Sequence, residues 1–173
     1  MSRRSRGTSG CPPSATANAA TGPNVSACRC TRSRLTKAAL AEQGVPYSWG
    51  GGNAHGPSRG TCCSDGGQDG RQVTGFDCSG LVLFAYAQAE ITLPRTAAAQ
   101  AGVGRRIPAS AGLSTLRPGD LVFYVYVAGN DASIYHVALY LGSGRQVAAP
   151  RPGLGGEVEP VATTGYAGGA AIL

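Results

Sequence analysis

Long apolar runs are missing from this chain. No segment of its 173 residues approaches the roughly 18 consecutive apolar positions of a membrane-spanning helix. Residues 1–35 also lack the apolar core of roughly 7–15 residues that marks a secretory leader, and nothing hydrophobic follows the Arg3-Arg4 pair as a twin-arginine start would require. Histidine is scarce, with only His55 and His136. The six cysteines offer no paired C-x-x-C spacing, since Cys28-Arg29-Cys30 and Cys62-Cys63 are both too tight, so a zinc site is not indicated. His55, in a Gly/Asn/Pro-rich stretch, reads as a loop histidine rather than a ligand. With no phosphate-cradling loop, internal repeat, heptad pattern or nucleic-acid signature, neither ATP, another cofactor, a metal nor nucleic acid is implied.

Acidic residues are absent from one end. Residues 1–37 hold six arginines and Lys37 with no acid, while the remainder holds eight basic and nine acidic residues. The net charge of +6 therefore belongs to the leader, and the rest is close to neutral. A basic arm of this kind could bind anionic polymers. The Ser, Thr, Ala, Gly and Pro between its arginines, with no apolar periodicity, favour a solvated, disordered segment over 1–35. Residues 36–173 are read as one domain, with 42% hydrophobic content across the chain and enough length for a single moderate core. Setting Cys78 aside leaves five cysteines; disulfides are possible outside the cell, but neighbours such as Cys62 and Cys63 bond poorly, so no pairing is assigned.

Asp77-Cys78-Ser79-Gly80, followed at once by Leu81-Val82-Leu83-Phe84-Ala85-Tyr86, puts a cysteine where a loop enters an apolar helix. Unpartnered N–H groups and the positive end of the macrodipole favour thiolate there, and such positions can bring a thiol to roughly 3.5–7.5. His136 heads an apolar β-type run, Val137-Ala138-Leu139-Tyr140-Leu141. A thiol and an imidazole brought together from separate elements make a hydrolase candidate. A buried structural thiol stands beside this reading, since free cysteine is often part of a core.

The remaining pattern places helices before strands. Helices are expected over 35–43, 78–89 and 96–103, and strands over 120–127, 134–141 and 146–149, with Gly142-Ser143-Gly144 as a hairpin turn. Residues 50–75 form a long Gly-rich loop suited to a cleft wall, 128–133 a candidate cleft rim, and the chain beyond Pro160 reads as loop. Helices followed by strands give an α+β fold, with helices packed on an antiparallel sheet.

Six blocks in order carry a resemblance. They are Gly44-Val45-Pro46-Tyr47-Ser48-Trp49-Gly50-Gly51, Gly75-Phe76-Asp77-Cys78-Ser79-Gly80-Leu81-Val82, Leu93-Pro94-Arg95-Thr96, Leu116-Arg117-Pro118-Gly119-Asp120-Leu121-Val122-Phe123-Tyr124, His136-Val137-Ala138-Leu139-Tyr140-Leu141-Gly142, and Ala149-Pro150. From about 38 to 160 the chain resembles the NlpC/P60 family of papain-like cysteine peptidases. The resemblance implies a papain-like α+β fold and hydrolysis of amide bonds in peptidoglycan stem peptides, commonly beside a γ-linked D-glutamyl residue. It implies Cys78 as nucleophile, His136 as general base and Tyr47 as a donor to the substrate oxyanion, with Trp49, Asp77 and Ser79 in the substrate site. Asp77 and Ser79 can equally be helix caps, and Tyr47 and Trp49 packing aromatics.

One position departs from the family. The polar residue that orients the imidazole, just before the Ala-Pro pair, is Ala148 here. Gln146 shares its strand face roughly 7 Å away, and Glu157 and Glu159 are further substitutes. The resemblance therefore implies a weakened enzyme. A binding module without turnover and a thiol amidase or acyltransferase on another substrate remain the alternatives. It also implies an extracellular or cell-wall location, although no signal peptide is visible. A fragment of a larger exported protein, another export route or a misassigned start would each reconcile the two.

Overall fold

The computed structural model describes residues 25–151 and 153–173, with side chains from Arg29 onward. Most of the expected leader, with Cys11, lies outside the described residues. Helix α1 (Val25–Ala41) starts ten residues ahead of the expected helix at 35, so the boundary drawn between 35 and 36 falls inside it. The cause is tertiary. Leu35 and Ala39 are fully buried, and Arg32 donates to the Pro118 carbonyl at 3.0 Å, to Asp120 at 2.6 Å and to the Leu173 carbonyl. A basic helix with little amphipathic pattern thus gains its place from one buried ion pair and two packed side chains rather than from propensity.

A short ladder of β1 (Ser58–Arg59) with β2 (Thr74–Gly75) closes the base of the 50–75 loop. Within that loop the exposed sulfurs of Cys62 and Cys63 are joined, a pairing left open from the sequence. The chain turns back on itself there, with the Ser64 N–H bonded to the Gln68 carbonyl at 3.0 Å.

Helix α2 (Cys78–Ala87) carries the apolar run into the centre of the molecule. Leu81, Val82, Ala85 and Tyr86 are buried on it, and the Tyr86 hydroxyl donates to the Gly119 carbonyl at 2.5 Å. A short α3 (Ala97–Ala101) follows, its first turn capped by Thr96.

The sheet comprises β3 (Arg105–Ile107), β4 (Leu121–Val125), β5 (Ile134–Gly142), β6 (Arg145–Ala148), β7 (Glu157–Pro160) and β8 (Tyr166–Ala171). All pairings are antiparallel, in the order β3-β8-β4-β5-β6-β7. Alternation assigns the two faces. Leu121, Phe123, Val137, Leu139 and Val147 meet α1 and α2, while Val122, Tyr124, Ala138, Tyr140 and Ala148 form a second cluster with Ile107 and Leu116. This is the α+β architecture expected, helices on one face of an antiparallel sheet.

Strand β8 is the main departure, because it lies between β3 and β4 in a region read as loop. Its sequence, Tyr-Ala-Gly-Gly-Ala-Ala, lacks β-branched residues. Close packing explains the composition: a Cβ on Gly169 would lie 2.3 Å from the Leu121 carbonyl oxygen.

Candidate active site

Asp77 is the N-cap of α2 and sets the position of Cys78. Its Oδ1 accepts from the Gly80 N–H at 2.7 Å and from the Ser79 hydroxyl at 3.2 Å, and its Oδ2 accepts from the Gly50 N–H at 3.1 Å. Arg95 closes over both oxygens at 2.9 and 2.8 Å, and also reaches Ser79 Oγ and the Gly51 carbonyl at 2.9 Å each. The carboxylate is thus saturated by protein donors, a bidentate clamp included. The helix start sits hard against loop 50–52: a Cβ on Gly80 would come within 2.2 Å of the Gly51 carbonyl oxygen. Asp77 is therefore the cap of α2, while the Ser79 hydroxyl, inside the helix, donates to Asp77 and accepts from Arg95.

Tyr47 reaches the same place by short backbone bridges. The Phe76 N–H donates to the Pro46 carbonyl at 3.2 Å and the Ser48 N–H to the Phe76 carbonyl at 3.0 Å, so the Pro-turn runs alongside the approach to Cys78. From the sheet, His136 pairs with Tyr124, while Val125 pairs with Ile134. Tyr135 is therefore the extra residue of a β-bulge, a feature common beside active sites because it re-aims side chains. Cys78, His136, Tyr47, Trp49, Asp77 and Ser79 line one cleft of about 670 Å³. The backbone of Val137, the residue after His136, is near enough to the Cys78 thiol to lower it.

The electrostatics differ from the expected thiolate. Burial first, then the neighbouring Asp77 charge, push the Cys78 thiol up to about 11, against the opposing pull of the Val137 and Ser79 backbone groups and Arg95. The helix terminus that should favour thiolate is already engaged by a carboxylate. Burial likewise holds His136 down at about 4, with Asp77 the one charge opposing it. The free cleft thus favours neutral thiol beside neutral imidazole. Burial raises the Tyr47 phenol well above its ordinary value, so it stays a hydrogen-bond donor.

Behind His136 lies the position of the missing polar group. Ala148 is 1% exposed and packs in the second cluster. The register Leu139↔Val147 sets it opposite Ala138, diagonal to His136 on the same face. The substitutes considered from sequence are used otherwise. Gln146 accepts from the Tyr124 hydroxyl at 2.8 Å and donates to Glu159 at 2.9 Å; Glu157 pairs with Ala148 across the β6–β7 ladder but leaves no mark on His136. The Tyr124 ring instead packs against the imidazole, centroids 5.6 Å apart.

A family model described as NlpC/P60 matches residues 44–167. The chain belongs to the NlpC/P60 family. It is 45% identical over 126 residues to peptidoglycan endopeptidase RipA of Mycobacterium tuberculosis, covering 73% of this chain and 24% of that protein. With the bifunctional muramidase/DL-endopeptidase CwlT of Bacillus subtilis it shares 40% identity over 111 residues, 64% of this chain and 27% of the other. The chain thus spans about a quarter of each of these two relatives. Among solved structures, the peptidoglycan hydrolase RipB of M. tuberculosis matches with a TM-score of 0.73 at 34% identity, over 87% of this chain and 69% of that one. RipD of the same organism, described as a non-catalytic NlpC/P60 domain protein adapted to peptidoglycan binding, matches with 0.68 at 34% identity, over 83% and 98%.

Within this NlpC/P60 domain, several cleft residues escaped the sequence reading. Arg95 stood in a quoted block without a role, and its proximity to Asp77 spans 18 residues of chain. Tyr126 and Tyr135 line the cleft where the 128–133 connection was expected to. That connection is instead pinned away, with Asp131 paired to Arg106 at 3.0 Å. His55 is exposed in a tight turn at Asn53–Gly56. Among the described residues, the cluster that could hold a cation is Cys62, Cys63 and Asp69. Its sulfurs are bonded to each other and its carboxylate to Arg71, so it does not fit a metal. No described helix is long and apolar enough to cross a membrane.

Proposed function

We propose that this domain is a slow cysteine endopeptidase acting outside the membrane on peptidoglycan stem peptides, at amide bonds beside a γ-linked D-glutamyl residue. The observation that carries the reading is the meeting of Cys78, His136 and Tyr47 in one cleft of an NlpC/P60 fold. Arg151, also on the cleft wall, suits the free carboxylates of such peptides.

In the proposed cycle His136 takes the Cys78 proton as Sγ attacks the amide carbon, and the carbonyl π pair moves onto oxygen. The Tyr47 hydroxyl and the Cys78 N–H receive that oxyanion as preorganised donors. Collapse breaks the C–N bond, the imidazolium proton goes to the leaving amine, and a thioester remains. Water attacks next, giving its proton to His136; the acid leaves and the thiol recovers its proton. Because thiol and imidazole start neutral, charge separation occurs during attack, and with Ala148 no side-chain acceptor steadies the imidazolium. Slow turnover follows. Cysteine enzymes depend less on that third group than serine enzymes, which keeps the site above zero activity.

A binding role without turnover is the second reading. Ala148 favours it, as does the similarity to RipD. Incubation with defined muropeptides, read by mass spectrometry, separates the two. Cleaved products that vanish in Cys78→Ser and His136→Ala support hydrolysis; intact substrate that is retained by the protein supports binding.

A further inference from the structure

The mouth of the cleft carries an aromatic surface that the chemistry above does not use. Tyr126 is 78% exposed and Tyr135 45%, and Trp49 adds a third half-open ring on the same cleft. The two tyrosine rings stack, with centroids 4.2 Å apart and planes within 22°. Their arrangement is built. The bulge that makes Tyr135 an unpaired residue turns its ring outward, and the Tyr126 N–H bonds to the Ser133 carbonyl at 3.2 Å, holding the two strand ends together. Tyr135 continues the row inward to His136, with centroids 6.3 Å apart.

Flat, exposed, hydroxyl-edged rings suit a pyranose, whose axial C–H groups present an apolar face and whose hydroxyls lie at the edge. Contiguous apolar surface at a cleft marks a ligand-binding region. The spacing agrees with the substrate. A stem peptide hangs from an amino sugar, and a bond beside its D-glutamyl residue lies two residues away, roughly 7 Å of extended chain. The ring row, in steps of 4.2 and 6.3 Å, is a few ångströms longer than that interval and so is long enough to span it. We propose that the Tyr126–Tyr135 pair is a saccharide subsite that stacks the amino sugar bearing the stem peptide, so that glycan-linked peptides are preferred to free ones. This rests on the peptidase reading and specifies its substrate class.

Two measurements test it. First, kcat/KM is compared for a disaccharide-linked stem peptide and the same peptide without sugar. The linked form should be favoured about five- to tenfold, mainly through KM; Tyr126→Ala should bring the ratio close to one, and Tyr126→Phe should restore it. Equal rates for both substrates in the native protein would overturn the subsite while leaving the peptidase intact. Second, a peptide-free oligomer of N-acetylglucosamine is titrated into Cys78→Ala, read by fluorescence of Trp49, the chain's single tryptophan. Saturable binding weakened in Tyr126→Ala supports the subsite even if neither peptide is cleaved, a result that would remove the peptidase reading alone. No saccharide binding up to high millimolar concentration counts against the subsite.

Discussion

Restoring a carboxylate at 148 is the most direct probe of the proposed chemistry. Ala148 lies on the imidazole's face of the sheet, one diagonal step away, a spacing of roughly 7–8 Å between Cα atoms that a long side chain bridges. In Ala148→Glu the carboxylate would come within about 4–6 Å of the ring, where an opposite charge raises a histidine by roughly 1–3 units. Starting from about 4, His136 would then titrate at roughly 5–7. Each unit is worth about 1.4 kcal/mol of imidazolium stabilisation. If half of that is expressed in the transition state, muropeptide hydrolysis rises roughly 3- to 30-fold. The new side chain enters a tight cluster with Tyr124, Ala138 and Tyr140, so a loss of about 1–3 kcal/mol in stability accompanies the gain. Hydrolysis followed by mass spectrometry, with His136 titrated by NMR, checks both halves. A His136 value that moves without any gain in rate, in a protein whose Cys78→Ala variant is equally inactive, would refute the catalytic reasoning.

Four other outcomes follow from the same geometry. Alkylation of Cys78 by iodoacetamide should climb roughly tenfold per pH unit from 7 to 10, since burial and Asp77 hold the thiol at about 11; a plateau already reached at pH 6 would show a preformed ion pair instead. For His136 the folded value of about 4 lies below the ordinary 6.5, so its contribution to stability is fully present above pH 6.5 and fades as pH falls toward 4. Urea midpoints at pH 7.5 and 4.5 should therefore differ less in His136→Gln than in the native protein. Arg95→Gln should leave Asp77, 9% exposed, without its main counter-charge, lowering thermal stability and slowing Cys78 alkylation at neutral pH; unchanged alkylation would remove Arg95 from the site's electrostatics. A chain beginning at residue 36 loses Arg32 and leaves the buried Asp120 without its ion-pair partner, which should cost about 3–5 kcal/mol, whereas equal melting temperatures would vindicate the boundary at 35/36.

What the sequence made legible was local. A cap, a cysteine and an apolar run within ten residues suffice to place Cys78 at a helix start, and the β-type run after His136 suffices for its strand. Elements whose identity depends on distant neighbours were not legible. Strand β8 is a strand because glycine lets it fit between β3 and β4, and its own residues argue for a loop. Helix α1 extends to Val25 although the basic segment has no amphipathic signal of its own, because Asp120 and the 118–119 turn await Arg32. The bulge at Tyr135 could not be seen either, since strict alternation predicts an ordinary rim residue there. The opposing pulls on the Cys78 thiol divide in the same way: helix position is visible in sequence, whereas the desolvation that raises the thiol is a property of what packs over it.

Asp77 links these observations. By capping α2 it fixes the sulfur at the cleft, yet as a charge it raises the thiol and the imidazole alike. Those two effects oppose each other in the proton transfer, since a harder-to-ionise thiol slows attack while a more basic imidazole speeds it. Arg95 tips the balance by neutralising Asp77 at 2.8 Å, lowering the thiol and leaving the ring less supported. In a site with a polar group at 148, the ring would draw its support from that side and the Asp77–Arg95 pair could serve the sulfur alone. With Ala148 the same pair must serve both, and it cannot favour one partner without disfavouring the other. The slow turnover proposed for this site would then follow from where charge is placed rather than from a missing nucleophile, which is why a single added carboxylate, on the strand behind the ring, is expected to raise the rate without any change at Cys78.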